Sequence, residues 1–224
     1  ITAETKSPEG GRVERMAGSQ QPSGVFVDAA EELMTRAIPA PRPNERDLAF
    51  AEAQKVLNSY GITAVADMGT TIEDWQAYRR AGDKGALTVR IMSYAAGPEQ
   101  MELIAGARPS PWLYDDKLRM NGIKIYLDGA LGSRGAWLKQ PYADDPGNTG
   151  LPLTGPAKLR NVLVRAAQGN FQPAIHAIGT AANEDALNAI AELAESFPGD
   201  RRWRIEHAQI VDPVDLPKFG QDGI

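Results

Sequence analysis

The 224-residue sequence contains no cysteine. That excludes a disulfide framework, a thiolate nucleophile and cysteine-ligated zinc, and it leaves the redox compartment open. Excess basic charge is missing too. A net charge of -5 argues against a nucleic-acid backbone or an anionic membrane surface as the main partner, since clustered Lys and Arg hold both. A small neutral or polar substrate suits this balance better. The opening residues, ITAETKSPEGGRVERMAGSQ, carry no apolar signal core, and no run of about 18 apolar residues follows. The chain therefore reads as soluble and cytoplasmic, with no membrane partner. What remains is ordinary globular material: 42% apolar and 24% charged residues, with Gly 22 and Pro 16 close to average usage.

Residues 1–44 are rich in Gly, Ser and Pro, and read as an irregular N-terminal segment. It holds one apolar run, Gly24-Val-Phe-Val, and a helix over Asp28–Arg36. From residue 45 to 224 β-branched runs alternate with helical periodicity. Asn44 is the expected cap of a helix through Tyr60, and Thr70-x-x-Glu73 has the spacing of a capping box. Five buried strands are expected, at Gly61–Met68, Leu87–Ala95, Gly122–Asp128, Gln172–Ile178 and Trp203–Ile210. Helices are expected between them, near Ile72–Ala81, Pro98–Ala105, Pro156–Ala167 and Ala181–Ser196. Strands separated by single helices pair in parallel through right-handed crossovers, so the fold class is α/β. Periodicity alone leaves an open doubly wound sheet and most of a (β/α)8 barrel both standing. Either fold works at the C-terminal ends of its strands.

The only histidines, His176 and His207, both sit late in expected strands. Period-two alternation groups Trp203, Ile205, His207 and Gln209 on one face, and Ala174, His176 and Ile178 on another. Adjacent parallel strands lie about 4.8 Å apart, so two inward imidazoles at matching height could share a metal ion. Two buried histidines satisfied by neighbouring backbone fit the same pattern. In Gly122–Asp128, Lys124, Tyr126 and Asp128 alternate with apolar residues. A lysine inside a barrel strand is costly unless it has a partner or a chemical role. Three roles stand open: a Schiff-base nucleophile, an ion pair with Asp128 or Glu206, or a carbamate bridging two metals. The loop Gly129-Ala-Leu-Gly-Ser-Arg-Gly135 lacks both the GxGxxG and the P-loop spacing, so no nucleotide cofactor is expected. Asp128 and Arg134, which flank its glycines, are the candidate substrate-binding residues, although Arg134 could equally anchor the loop.

The run GIKIYLDGALGSRGAWLKQPYADDPGNTGLPL (122–153), with HAIG (176–179), RIEHAQIVDPVDLPKFG (204–220) and GITAVADMG (61–69), resembles the amidohydrolase-3, YtcJ-like branch of the metal-dependent amidohydrolase superfamily. The resemblance implies a partial (β/α)8 TIM-like barrel, about strands two to six. It also implies one or two divalent ions at the C-terminal mouth, zinc first among the candidates, and hydrolysis of amide or related C–N bonds. On this resemblance Lys124, carboxylated, and His176 and His207 are metal ligands and the catalytic set. Two departures stand out. Thr180 and Ala181 replace a carboxylate and a cation, and the His-x-His of the family's first strand has no counterpart. The sequence thus reads as an internal section of a longer enzyme, silent by itself, whose open edges favour self-association. A barrel-derived scaffold without catalysis is the competing reading.

Overall fold

The computed structural model describes residues 1–221 and 223–224. The first 44 residues are not irregular. Strands β1 (Gly11–Arg15) and β2 (Pro22–Asp28) form an antiparallel hairpin, followed by a 3-10 turn (Ala29–Glu31) and the short helix α1 (Glu32–Thr35). Only Gly11, Val13, Val27 and Ala30 are buried there, so a two-residue alternation with so few apolar positions leaves little pattern to read.

The body is a five-stranded parallel sheet in strict chain order. Its strands are β3 (Ala64–Thr70), β4 (Arg90–Ala96), β5 (Leu118–Tyr126), β6 (Gln172–Ala177) and β7 (Arg204–His207). The strands curl into a half-barrel with β3 and β7 at its edges. Helices α2 (Pro43–Ser59), α3 (Ile72–Asp83), α4 (Pro98–Ala105), α5 (Pro156–Gly169) and α6 (Thr180–Ala194) accompany the strands, and α7 (Lys218–Gln221) lies in the tail. The sequence places each of α2 to α6 within a few residues. Local caps shift by one or two positions. Pro43 opens α2, with the Arg42 backbone N–H donating to Glu45 Oε2 at 2.8 Å, and the capping box of α3 is Thr71 with Asp74.

The core lies between the sheet and its helices. Ile91, Ile123, Ile125, Leu127, Ile175 and Ala177 pack against Leu159, Leu163, Ala166, Ala186 and Ile190. Each fully buried large aliphatic side chain contributes about 1.5–3 kcal/mol, enough to fix which sheet face meets the helices. Strand β5 begins at Leu118, four residues before the expected start at Gly122. The register moves from Ser93↔Met120 to Tyr94↔Gly122, so Asn121 is a bulge. The bulge resets the alternation, with Leu118 and Met120 on the helix face before it and Ile123 and Ile125 after it.

Strand β7 corrects a second expectation. Trp203 and Ile205 belong to the helix-side core, with Trp203 buried, and do not line the barrel interior. Parallel register pairs Ala174 with Arg204 and His176 with Glu206, which places Arg204 and Glu206 on the interior face. The expected period holds, but its phase is reversed.

Candidate active site

His207 follows Ile205 by two residues, so a regular strand would turn it toward the helices. It does not continue regularly. His207 has φ 76° and Ala208 φ 43°, both in the left-handed region that side chains rarely adopt. This break brings the imidazole of His207 against that of His176, with centroids 4.5 Å apart and planes at 69°. Strained backbone of this kind persists where the surrounding fold holds a side chain in a required direction.

Three neighbours complete the cluster. Tyr126, at the end of β5, lies 5.4 Å from His176 between ring centroids. The Lys124 ammonium sits 3.6 Å from the centroid of the Tyr126 ring. Lys124 is 5% exposed, and its Nζ has no hydrogen-bond partner among the described residues. Burial lowers its pKa to about 8, against the opposing pull of Glu206 and Asp128. A neutral amine is therefore accessible near physiological pH. Burial, together with the charges of His176 and Lys124, also lowers the pKa of His207. Beside Lys124 a cavity of about 320 Å³ lies between Gly97, Tyr126 and Leu153 and the α5 residues Lys158 and Val162, and neither histidine lines it.

Asp128 is fully buried. Its Oδ2 accepts hydrogen bonds from the backbone N–H groups of Trp137 at 2.9 Å and Gly179 at 2.8 Å, and Oδ1 accepts from Ile178 at 3.0 Å. His176 Nε2 lies 3.3 Å from Oδ1, but the geometry is not that of a hydrogen bond, and Nε2 is buried without a partner. The carboxylate thus stitches the 129–137 loop to the start of α6 directly beneath His176. Arg134 is engaged elsewhere. In a left-handed conformation with φ 55°, it pairs with Asp144 at 2.7 Å within its own loop. Thr180 accepts a hydrogen bond from the Lys139 backbone at 2.9 Å, so it ties the same loop to α6.

Lys124, His176 and His207 therefore meet at one end of the sheet. Glu206 joins them on the interior face, while Arg134 is tied to Asp144. Sequence reasoning left Tyr126 and Asp28 without a role. Tyr126 carries the alternation signal that Lys124 carries and was open to detection. Asp28 has no local signal, because the hairpin brings it in from a distance.

The chain matches the amidohydrolase family over residues 1–221. It belongs to that family. The Arabidopsis thaliana protein LONG AFTER FAR-RED 3 is 35% identical over 233 residues, covering 97% of this chain and 39% of its own length. The Bacillus subtilis protein YtcJ is 31% identical, covering 95% of this chain and 40% of its own length. The crystal structure of a metal-dependent hydrolase from Pyrococcus horikoshii superposes with a TM-score of 0.73 at 24% identity, over 93% of this chain and 42% of that one. The fold is thus that of a metal-dependent hydrolase, and this amidohydrolase chain spans about two fifths of the length of these relatives.

Among the described residues no group of three or more His, Cys, Asp or Glu side chains is placed to hold a metal ion. The donors that do converge are of the right kind for one. Two imidazoles, one with an unpartnered buried nitrogen, and an amine that burial drives toward neutrality are ligands or ligand precursors for a divalent ion. No helix among the described residues is long and apolar enough to cross a membrane.

Proposed function

We propose that the protein carrying this chain hydrolyses amide or related C–N bonds of small molecules, with His176, His207 and Lys124 serving a divalent metal centre, zinc first among the candidates. The observation that carries this reading is the left-handed kink at His207, which spends backbone strain to set its ring 4.5 Å from that of His176. A bound divalent ion supplies a water acidified toward neutral pH and a polarised carbonyl. The residues supply the rest. His176 and His207 supply imidazole nitrogen donors, and Asp128 fixes the backbone just after His176 through Ile178 and Gly179. The neutral amine of Lys124 would add carbon dioxide through Nζ, losing one proton to solvent, and the resulting carbamate would offer two oxygen donors. Tyr126, about half exposed and packed against both Lys124 and His176, would offer its ring to the substrate.

The test is hydrolysis of a panel sharing one amine: the formamide, acetamide, carbamate and urea of benzylamine, read by benzylamine release. The whole protein is expected to cleave at least one of them, and to stop when a chelator is added. The 224-residue chain alone is expected to release none, since it spans two fifths of its relatives and offers too few ligands. Chelator-resistant activity, or activity of the short chain, would contradict the reading. The open edges at β3 and β7 also support association of the isolated chain with a second copy.

A further inference from the structure

The hairpin delivers Asp28 to the mouth of the half-barrel in an unusual state. Its backbone has φ 51° and ψ -125°, a region that glycine favours and aspartate seldom enters. It precedes the 3-10 turn, yet its side chain makes no capping bond there. Oδ2 is buried without a hydrogen-bond partner among the described residues. Arg12 directs its hydrogen bonds elsewhere, to Glu14 at 2.7 Å and the Ser133 carbonyl at 3.0 Å, and burial raises the pKa of Asp28 against the pull of Arg12 and His176.

The opposing wall has been cleared for it. A Cβ at Gly129 would lie 2.4 Å from Asp28 Oδ2, and one at Gly135 would lie 2.6 Å away. Gly129 and Gly135, two of the three glycines of a loop that fits no phosphate-binding motif, thus have a physical reason to be glycine: they admit a carboxylate. Gly129 directly follows Asp128, whose Oδ1 is 3.3 Å from His176 Nε2. A strained, unpaired carboxylate set into a glycine cradle beside the histidines costs stability, and its own hydrogen bonds return none of that cost. Such a group is held for a ligand.

We propose that Asp28 is a substrate-positioning residue that accepts a hydrogen bond from the nitrogen side of the substrate, an N–H before cleavage and an ammonium after it. This rests on the hydrolase reading above and adds which substrate group the rim of the site recognises. Asp28 Oδ2 finds no hydrogen-bond donor among the described residues, so a donor supplied by a ligand is the partner it lacks.

The test uses the metal-loaded whole protein with Asp28→Asn, which keeps the shape, and Asp28→Gly, which also relieves the backbone. Three quantities are read: the melting temperature, calorimetric binding of benzylamine with benzyl alcohol as control, and the KM and kcat for benzylamine release. Both variants are expected to melt about 2–4 °C higher than wild type. Benzylamine should bind at least about tenfold more weakly, as loss of a hydrogen bond to a charged group requires, and benzyl alcohol should bind as before. The kinetic loss should fall mainly on KM. A lower melting temperature in both variants, or unchanged benzylamine affinity, would overturn the proposal and make Asp28 a structural anchor. Wild-type protein that cleaves no member of the panel would count against the hydrolase reading instead, while melting and benzylamine binding would still decide the role of Asp28.

Discussion

Replacing Asp128 by alanine is expected to destabilise the chain by at least about 3 kcal/mol, because three backbone donors lose their acceptor at once and each orphaned buried donor costs about 1–3 kcal/mol. The donors are Trp137, Ile178 and Gly179. They belong to the 129–137 loop, the end of β6 and the entrance of α6, so their release should spread through all three. The minor core of Ala136, Tyr142 and Ile178 stands on the same loop. Urea denaturation of wild type and variant measures the difference. Asn at this position keeps an oxygen but turns an amide group toward backbone donors, and should recover less than half of the loss. A denaturation midpoint unchanged in the alanine variant would show that the loop is held by other contacts.

The second large effect runs in opposite directions for stability and function. Lys124→Met keeps the aliphatic length and removes a buried ammonium that has no hydrogen-bond partner among the described residues. The displacement of its pKa from an ordinary 10.5 to about 8 corresponds to roughly 3 kcal/mol, which solvent at the open mouth reduces to about 2 kcal/mol. Between pH 8 and 10.5 the unfolded chain binds more protons at this lysine than the folded chain does, so wild-type stability rises with pH across that window. The methionine variant should therefore be more stable than wild type at pH 7, and its advantage should fade as the pH approaches 10.5. Metal retention and amide hydrolysis in the whole protein should fall by about 100-fold or more, as for loss of a group that orders a metal site. A variant less stable than wild type at pH 7 would mean that Lys124 is a satisfied ion-pair partner of Glu206 or Asp128.

Much of this was legible in the chain, and what was missed has physical causes. Helices α3 and α5 carry clear 3.6-residue periodicity, and strands separated by single helices leave little choice but a parallel sheet in chain order. Lys124 and His176 were visible because regular alternation places them on the interior face, at matching ends of adjacent strands. His207 was assigned to the right place by a faulty route. Alternation groups it with Trp203 and Ile205, which face the helices, and only the left-handed turn at His207 and Ala208 brings the imidazole back. No residue type in Ile205-Glu206-His207-Ala208 announces that turn, since neither His nor Ala favours it as glycine does. The start of β5 was hidden by the Asn121 bulge, and the hairpin by its scarcity of apolar residues. Asp128 reads as a substrate contact from its position after a barrel strand, whereas its burial and its backbone partners come from a loop that folds back over nine residues.

The proposed function requires that His176 and His207 be paired to hold a metal. The measurement that tests it most directly is the metal content of the whole protein after exhaustive dialysis, compared among wild type, His176→Ala, His207→Ala and the double variant, with melting temperature as the control for folding. The account predicts stoichiometric divalent metal in wild type, a loss of at least tenfold in metal affinity in each single variant, and none retained in the double variant while it remains folded. Undiminished metal in a folded double variant, or a wild-type protein that holds none, would contradict it.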